Sequence, residues 1–324
     1  MIQRRTFGGA FGWVPVVAAV VAAPGLAQDS SPQGAVRTAD ASQPVDEVVV
    51  RGRRMSEIEN DLRIYIDKFL EQVAKPANGR GYGRWDRSVC VGVHNLEATA
   101  AHYIVDRISL QAIDLGLEPG EPGCTPQVTI VFATNAKETA ALMVKSEPRM
   151  FRPMAGFAGA DLGRAALDDF VKTERPVRWW HVSLPISAHN RGLAIEVPAG
   201  RTCAEAFCPP QVTVEGASRI HNGTIDVLWN VIIIVDATKL TGTTWQQLAD
   251  YLAVVSLAQI NPKTNPAEFD SILNLFSNPA AYSGLTDWDR SYLKAIYTFD
   301  QEHVTPLQRN EIVSRIADSE LEAH

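Results

Sequence analysis

Ile225-Asp-Val-Leu-Trp-Asn-Val-Ile-Ile-Ile-Val-Asp236 is the strongest strand signal in this chain, and the run Trp245 to Gln259 that follows it is the most apolar helix. β-Branched residues dominate the first segment, as a pleated, buried surface requires. The second is long enough for a helix and is apolar on nearly all sides. A strand feeding such a helix sets the theme, and the upstream chain repeats it. Gln127 to Ala133 reads as a buried strand from its continuous apolar run, with the helix Ala136 to Lys145 after it, closed by Pro148. Ser88 to Val93 reads as a strand, followed by the helix Leu96 to Gly116, whose buried stripe is Ile104, Ile108, Ala112 and Leu115. Val177 to Leu184 is a further strand, preceded by a weaker helix over Asp161 to Lys172. Met55 to Lys75 repeats apolar residues at helical spacing, with Ser56 and Glu59 placed for a capping box. Ile186 to Thr224 is loop-rich, with hairpin-like pieces at Leu193–Val197 and Gln211–Val214.

Beyond the apolar helix the chain reads as helical throughout: Glu268–Phe276, Asp287–Tyr297 and Pro306–Leu321. Thr286 and Thr305 stand at N-cap positions, and the acids after Thr286 suit the positive end of a helix. The order of elements predicts an α+β fold, a mixed sheet packed with helices and a helical C-terminal part. The organisation read from it is a signal peptide over 1–27, a disordered leader with a short extended segment over 28–54, one α+β domain over 55–300 and a C-terminal helix over 301–324.

The N-terminus is an address. Arg4 and Arg5 precede an apolar run from Phe11 to Ala23, and Gly25 and Ala27 put small residues before a cleavage point. Pro24 and Gly25 stop the run short of the ~20 residues a membrane span needs. The mature chain is therefore expected in the periplasm or outside a Gram-negative cell, with no transmembrane segment. Its formal charge of −7 becomes −9 once the two leader arginines are removed. That excludes the basic footprint of a general nucleic-acid binder.

Export gives the four cysteines, Cys90, Cys124, Cys203 and Cys208, the meaning of a disulfide framework. Three connectivities are possible. Cys90–Cys124 and Cys203–Cys208 are favoured, the second because it closes a short loop. A zinc site is the competing use of these thiols, but no complete four-ligand pattern is present.

Catalytic signatures are missing. There is no Gly-x-Ser-x-Gly elbow, no phosphate loop and no dinucleotide fingerprint. Ser291-Tyr-Leu-Lys294 matches Ser-x-x-Lys without its companion motifs. No two histidines stand four apart, as a helical zinc motif needs; His94 and His102 are eight apart, as are His181 and His189. No metal site and no cofactor are expected. Asp250 stands out as a carboxylate inside the apolar helix, where a buried charge needs partners. It reads as a structural acid bonded to backbone donors or an arginine, or as a tuned catalytic one. Asp250, Tyr251, His181 and His221 are the candidates for a hydrolase site assembled from scattered residues.

Several motifs occur together: Val48-Val-Val-Arg-Gly-Arg-Arg54, Gly83-Arg-Trp-Asp-Arg-Ser-Val-Cys90, Gly123-Cys-Thr-Pro-Gln-Val-Thr-Ile-Val131, Gln247-Leu-Ala-Asp-Tyr-Leu252 and Leu285-Thr-Asp-Trp-Asp-Arg-Ser-Tyr-Leu293. From about Asp46 to Tyr297 the chain resembles a family of exported, functionally uncharacterised proteins of alphaproteobacteria. That resemblance implies a periplasmic or secreted location and no particular activity. The strand Val231–Asp236 with its apolar helix also resembles the scaffold of zincin-type peptidases. Asp250, Tyr251 and Val254 would then stand where the motif has His, Glu and His, so the resemblance implies a zincin-like scaffold without its zinc. Glu47-Val-Val-Val-Arg-Gly-Arg53 is similar to the TonB box, which implies a strand-pairing segment at Val48, Val49 and Val50 and a TonB-type periplasmic partner. The expected function is a non-catalytic binding or envelope-associated protein, with a hydrolase of non-standard site as the alternative.

Overall fold

The computed structural model describes residues 45–77, 79–152, 161–194 and 218–323. The signal peptide, the leader before Val45 and the pair Cys203 and Cys208 lie outside the described residues, as do Ile195–Val197 of the first hairpin-like piece and all of Gln211–Val214. The chain divides into two compact units, Met1–Val50 and Arg51–His324. The sheet, the core and every site below belong to the second.

The fold is α+β. In chain order the elements are α1 (Val45–Val73), β1 (Ser88–Val89), β2 (Val91–His94), α2 (Ala98–Asp114), β3 (Glu118–Pro119), β4 (Val128–Ala133), α3 (Ala136–Ser146), α4 (Pro148–Phe151) and α5 (Arg164–Lys172). They continue with β5 (Val177–Ser187), β6 (Thr224–Asp236), α6 (Trp245–Leu257), α7 (Asp287–Thr298) and α8 (Thr305–Ala323). One mixed sheet runs in the order β2-β4-β6-β5. The first three strands are parallel, with Val91 beside Val128 and Val128 beside Val231. β5 returns antiparallel, pairing Val177 with Val235 and Ser187 with Thr224. β1 and β3 form a separate two-stranded piece.

β6 explains the layering. Its side chains alternate between two cores, as a period of two demands. Val231, Ile233 and Val235 join the larger core with α1, α2, α6, α7 and α8. Ile232 and Ile234 join a smaller one with Ala136 and Ala140 of α3, Phe151 of α4, Phe170 of α5 and Trp180 of β5. With both faces covered, the near-continuous apolar run is the pattern a parallel sheet requires. α6 is buried from Gln247 to Leu257, and each large apolar side chain so buried stabilises the fold by ~1.5–3 kcal/mol. Thr244 starts this helix with a reciprocal capping box: the Gln247 amide donates to its hydroxyl at 3.2 Å, and its own amide donates to Gln247 Oε1 at 2.7 Å.

The first half of the chain also carries a covalent tie. Cys90 and Cys124 form a disulfide across 34 residues, with Cα atoms 6.2 Å apart. Among the described residues no helix is long and apolar enough to cross a membrane.

Four expectations change. Val48, Val49 and Val50 are not extended; they lie within α1. Valine costs a helix only a few tenths of a kcal/mol, and a strongly patterned helix downstream propagates through three of them. Ser56 is consequently interior to α1 rather than its N-cap. Pro148 does not simply end α3 but opens the short α4. Glu268–Phe276 is not a helix: only Ile272–Asn274 forms a 3₁₀ turn. Side chains take the place of the helical ladder there. Asp289 accepts from the Ser271 hydroxyl at 2.6 Å and the Ile272 backbone N–H at 2.8 Å, while Asn274 Nδ2 donates to the carbonyls of Pro266 and Phe269. Thr286 does cap α7, in a capping box closed by Asp289.

Candidate functional site

The groups singled out for chemistry are held by structural partners. Asp250 is fully buried and accepts a fork of hydrogen bonds from Arg107, Nε at 2.6 Å and Nη2 at 2.8 Å. Its second oxygen also accepts from the Leu285 amide at 3.0 Å. Three elements thus meet on one carboxylate: α6, α2 and the turn before α7. Gly284 makes the approach possible, because a Cβ there would lie 2.5 Å from Asp250 Oδ2. The bond to Asp250 holds the Arg107 guanidinium above its ordinary pKa. Tyr251, next in sequence, packs edge-on against Trp179 and Phe276, and burial raises its hydroxyl well above the usual range.

His181 on β5 is buried, and its Nε2 donates to the Val255 carbonyl of α6 at 2.7 Å. Burial lowers its pKa to about 4, with the Val255 bond opposing in part. His181 is therefore neutral at physiological pH and links sheet to helix. His221 lies in the loop before β6, bridged to His303. Among the described residues none of the hydrogen-bond partners of Asp250 is a histidine. The four candidates are not assembled into a nucleophile–base–orienter set.

A different place in the molecule has the form of a binding site. In β6 the register slips: Val182 faces Asn230 while Ser183 faces Leu228, so Trp229 has no partner on β5. This is a β-bulge, which re-aims a side chain out of the strand's alternation. Trp229 is 56% exposed in a strand whose neighbours Leu228 and Val231 are buried. It lines a groove of about 560 Å³ with Thr125, Pro126, Gln127, Arg149, Met150 and Asn230.

Both walls of this groove are fixed. On one side the disulfide at Cys124 anchors the segment Thr125–Gln127; the Gln127 backbone N–H donates to the Cys90 carbonyl at 2.9 Å, and Gln127 Oε1 accepts from the Cys90 backbone N–H at 3.2 Å. Pro126 lies on Gly92 so closely that a Cβ there would come within 2.6 Å of its ring. On the other side, Asn230 Nδ2 donates to the Met150 carbonyl at 3.1 Å, and Trp180 Nε1 donates to the Phe151 carbonyl at 2.7 Å. Those bonds leave Gln127 Nε2 and Asn230 Oδ1 without a hydrogen-bond partner among the described residues. A flat indole, a guanidinium, a side-chain donor and a side-chain acceptor surround one preformed hollow, the composition of a small-ligand site.

A second hollow of about 520 Å³ lies at the carboxyl ends of β2, β4 and β6, among Asn95, Thr134, Asn135 and Glu138. Ligands of open parallel sheets commonly bind at this end. Here the helix N-terminal donors are already taken: Asn135 Oδ1 accepts from the Glu138 amide, and Glu97 accepts from the Thr99 and Ala100 amides. Glu97 and Glu138 also oppose the anions such a place would otherwise attract.

No family model matches the chain, and none of the curated proteins or solved structures compared with it is similar. The bulge was not legible in the sequence, because it is a relation between two strands. The signal that existed was Asn230, which interrupts the apolar run directly after Trp229.

Proposed function

We propose that this chain is an exported, non-catalytic binding protein of the Gram-negative periplasm that holds a glycan of the cell envelope in the groove at Trp229. Membership of the exported alphaproteobacterial family belongs with this reading. The observation that carries it is the exposed Trp229 indole, turned outward by a bulge onto a hollow whose two walls are fixed. An indole face takes the apolar face of a sugar ring. Gln127 Nε2, Asn230 Oδ1 and the Thr125 hydroxyl suit its hydroxyl groups, and Arg149 suits the carboxylates that cell-wall glycans carry. A peptide added as a strand fits less well, since β6 is an inner strand with both edges paired. The Cys90–Cys124 disulfide supports an oxidising compartment.

The hydrolase alternative draws on Asp250, Tyr251, His181 and His221, and no contact among them favours it. Calorimetric titration of the purified chain with soluble peptidoglycan fragments tests the reading. Saturable binding that weakens at least ~10-fold in Trp229→Ala, the size of a modest hot spot, supports it. No binding by the wild type, or equal binding by the variant, overturns it.

A further inference from the structure

At the opposite end of β6 from its apolar run, the chain brings together three side chains of metal-binding type. His221 precedes the strand. Asp300 and His303 lie in the turn between α7 and α8. One ligand atom of each lies within 4.8 Å of the others, and the two imidazole centroids are 4.9 Å apart. We infer that His221, Asp300 and His303 form a binding site for a divalent transition ion of the zinc class, with Glu311 as its orienting carboxylate.

The backbone holds the two ligand-bearing segments against each other. Val304 N donates to Ile220 O at 3.0 Å, Asn222 N donates to Glu302 O at 2.6 Å, and Gln308 Nε2 donates to the His303 carbonyl at 2.8 Å. Two of the three ligands are also turned the right way, His303 and Asp300. Nδ1 of His303 is hydrogen-bonded to Glu311, which leaves Nε2 to face Asp300 Oδ2 at 3.8 Å. Asp300 Oδ1 accepts from the Glu302 amide at 2.9 Å, so Oδ2 is the oxygen left for an ion. Glu311 reaches both ligands, since its second oxygen accepts from the Asp300 amide at 2.9 Å. A carboxylate behind a ligating imidazole is the usual device for fixing its tautomer and raising its basicity.

The chemistry selects the ion. Two imidazoles and one carboxylate suit zinc and its neighbours rather than calcium or magnesium, which prefer all-oxygen shells. Bonds of ~2.0–2.2 Å put tetrahedral ligand atoms about 3.4 Å apart, so the cluster has to draw in by roughly 1 Å. The half-exposed His221 ring can supply that movement. Asp300 and Glu311 bring two carboxyl groups to the pair of imidazoles, and Arg315 lies 3.6 Å from Glu311. Three protein ligands leave a coordination position for water or a ligand atom. Sequence spacing does not show this site, because α6 and α7 separate the two histidines along the chain.

The test uses the exported chain purified without a histidine tag and dialysed against zinc chloride alone. One zinc per chain is expected, with a rise in melting temperature because the ion binds only the folded form. Glu311→Gln is expected to weaken binding ~10–100-fold, and His221→Ala with His303→Ala to abolish it, while His94→Ala with His102→Ala leaves it unchanged. A wild-type chain that takes up no zinc and shows no shift in melting overturns the inference, and so does wild-type uptake by a folded His221→Ala/His303→Ala variant. The wild-type measurement stands alone should that variant fail to fold.

Discussion

Asp250 and Trp229 sit on consecutive elements, α6 and β6, and the fold treats them in opposite ways. Asp250 is a charge in the largest core, fully buried, and every contact it makes is satisfied by α2 or the Leu285 amide. Trp229 is among the largest apolar side chains of the protein, yet a bulge leaves it 56% exposed. The residue with catalytic potential works as a structural knot, and the residue with packing potential is left unpacked. Chemical type alone is therefore a poor guide to function here. What distinguishes the two is whether the fold has already collected the interaction each side chain offers. His181 falls on the same side as Asp250, and Gln127 Nε2 and Asn230 Oδ1 on that of Trp229.

Asp250→Ala leaves Arg107 and the Leu285 amide unpartnered and is expected to cost about 3–5 kcal/mol, the loss typical of a broken buried pair. Urea denaturation measures it. A loss under about 1 kcal/mol would show that the carboxylate is not the knot described. Removing the disulfide with Cys90→Ser and Cys124→Ser is expected to cost about 3.8 kcal/mol in the loop-entropy model. The same bond fixes a groove wall, so glycan binding should weaken in the variant at temperatures where it remains folded.

His181 gives a pH signature of similar size. Its folded pKa of about 4 lies below the ordinary value of 6.5. Between those values the unfolded chain binds the extra proton, so stability rises with pH across this window. The contribution is complete above about pH 6.5 and is lost as pH falls to about 4, for a total of about 3 kcal/mol. Unfolding curves of wild type and His181→Gln should draw together over that interval. Curves that stay parallel would show that His181 does not carry the slope.

Much of the scaffold was legible in the sequence. Ile225–Asp236 and Trp245–Gln259 are β6 and α6 to within two residues, because apolar runs of those lengths have few other homes. Cys90–Cys124 was the favoured pairing of Cys90 among three possible connectivities, and the disulfide is present. Val48–Val50 misled because a short β-branched run carries too weak a preference to stop a helix already favoured downstream. Glu268–Phe276 misled because Asp289 and Asn274, distant or polar in the pattern, hold the backbone in turns. The candidate sites were least legible. Trp229 depends on a register slip against β5, and His221 meets His303 only through tertiary packing.

The smallest expected effect on stability is the most informative one. Trp229→Ala removes an exposed side chain and is expected to change unfolding free energy by no more than about 0.5 kcal/mol. The decisive measurement pairs that value with glycan binding on one preparation of Trp229→Ala. An unchanged denaturation midpoint together with at least a ~10-fold loss of affinity is the expected result. Undiminished affinity in a variant of wild-type stability would contradict the assignment of the groove.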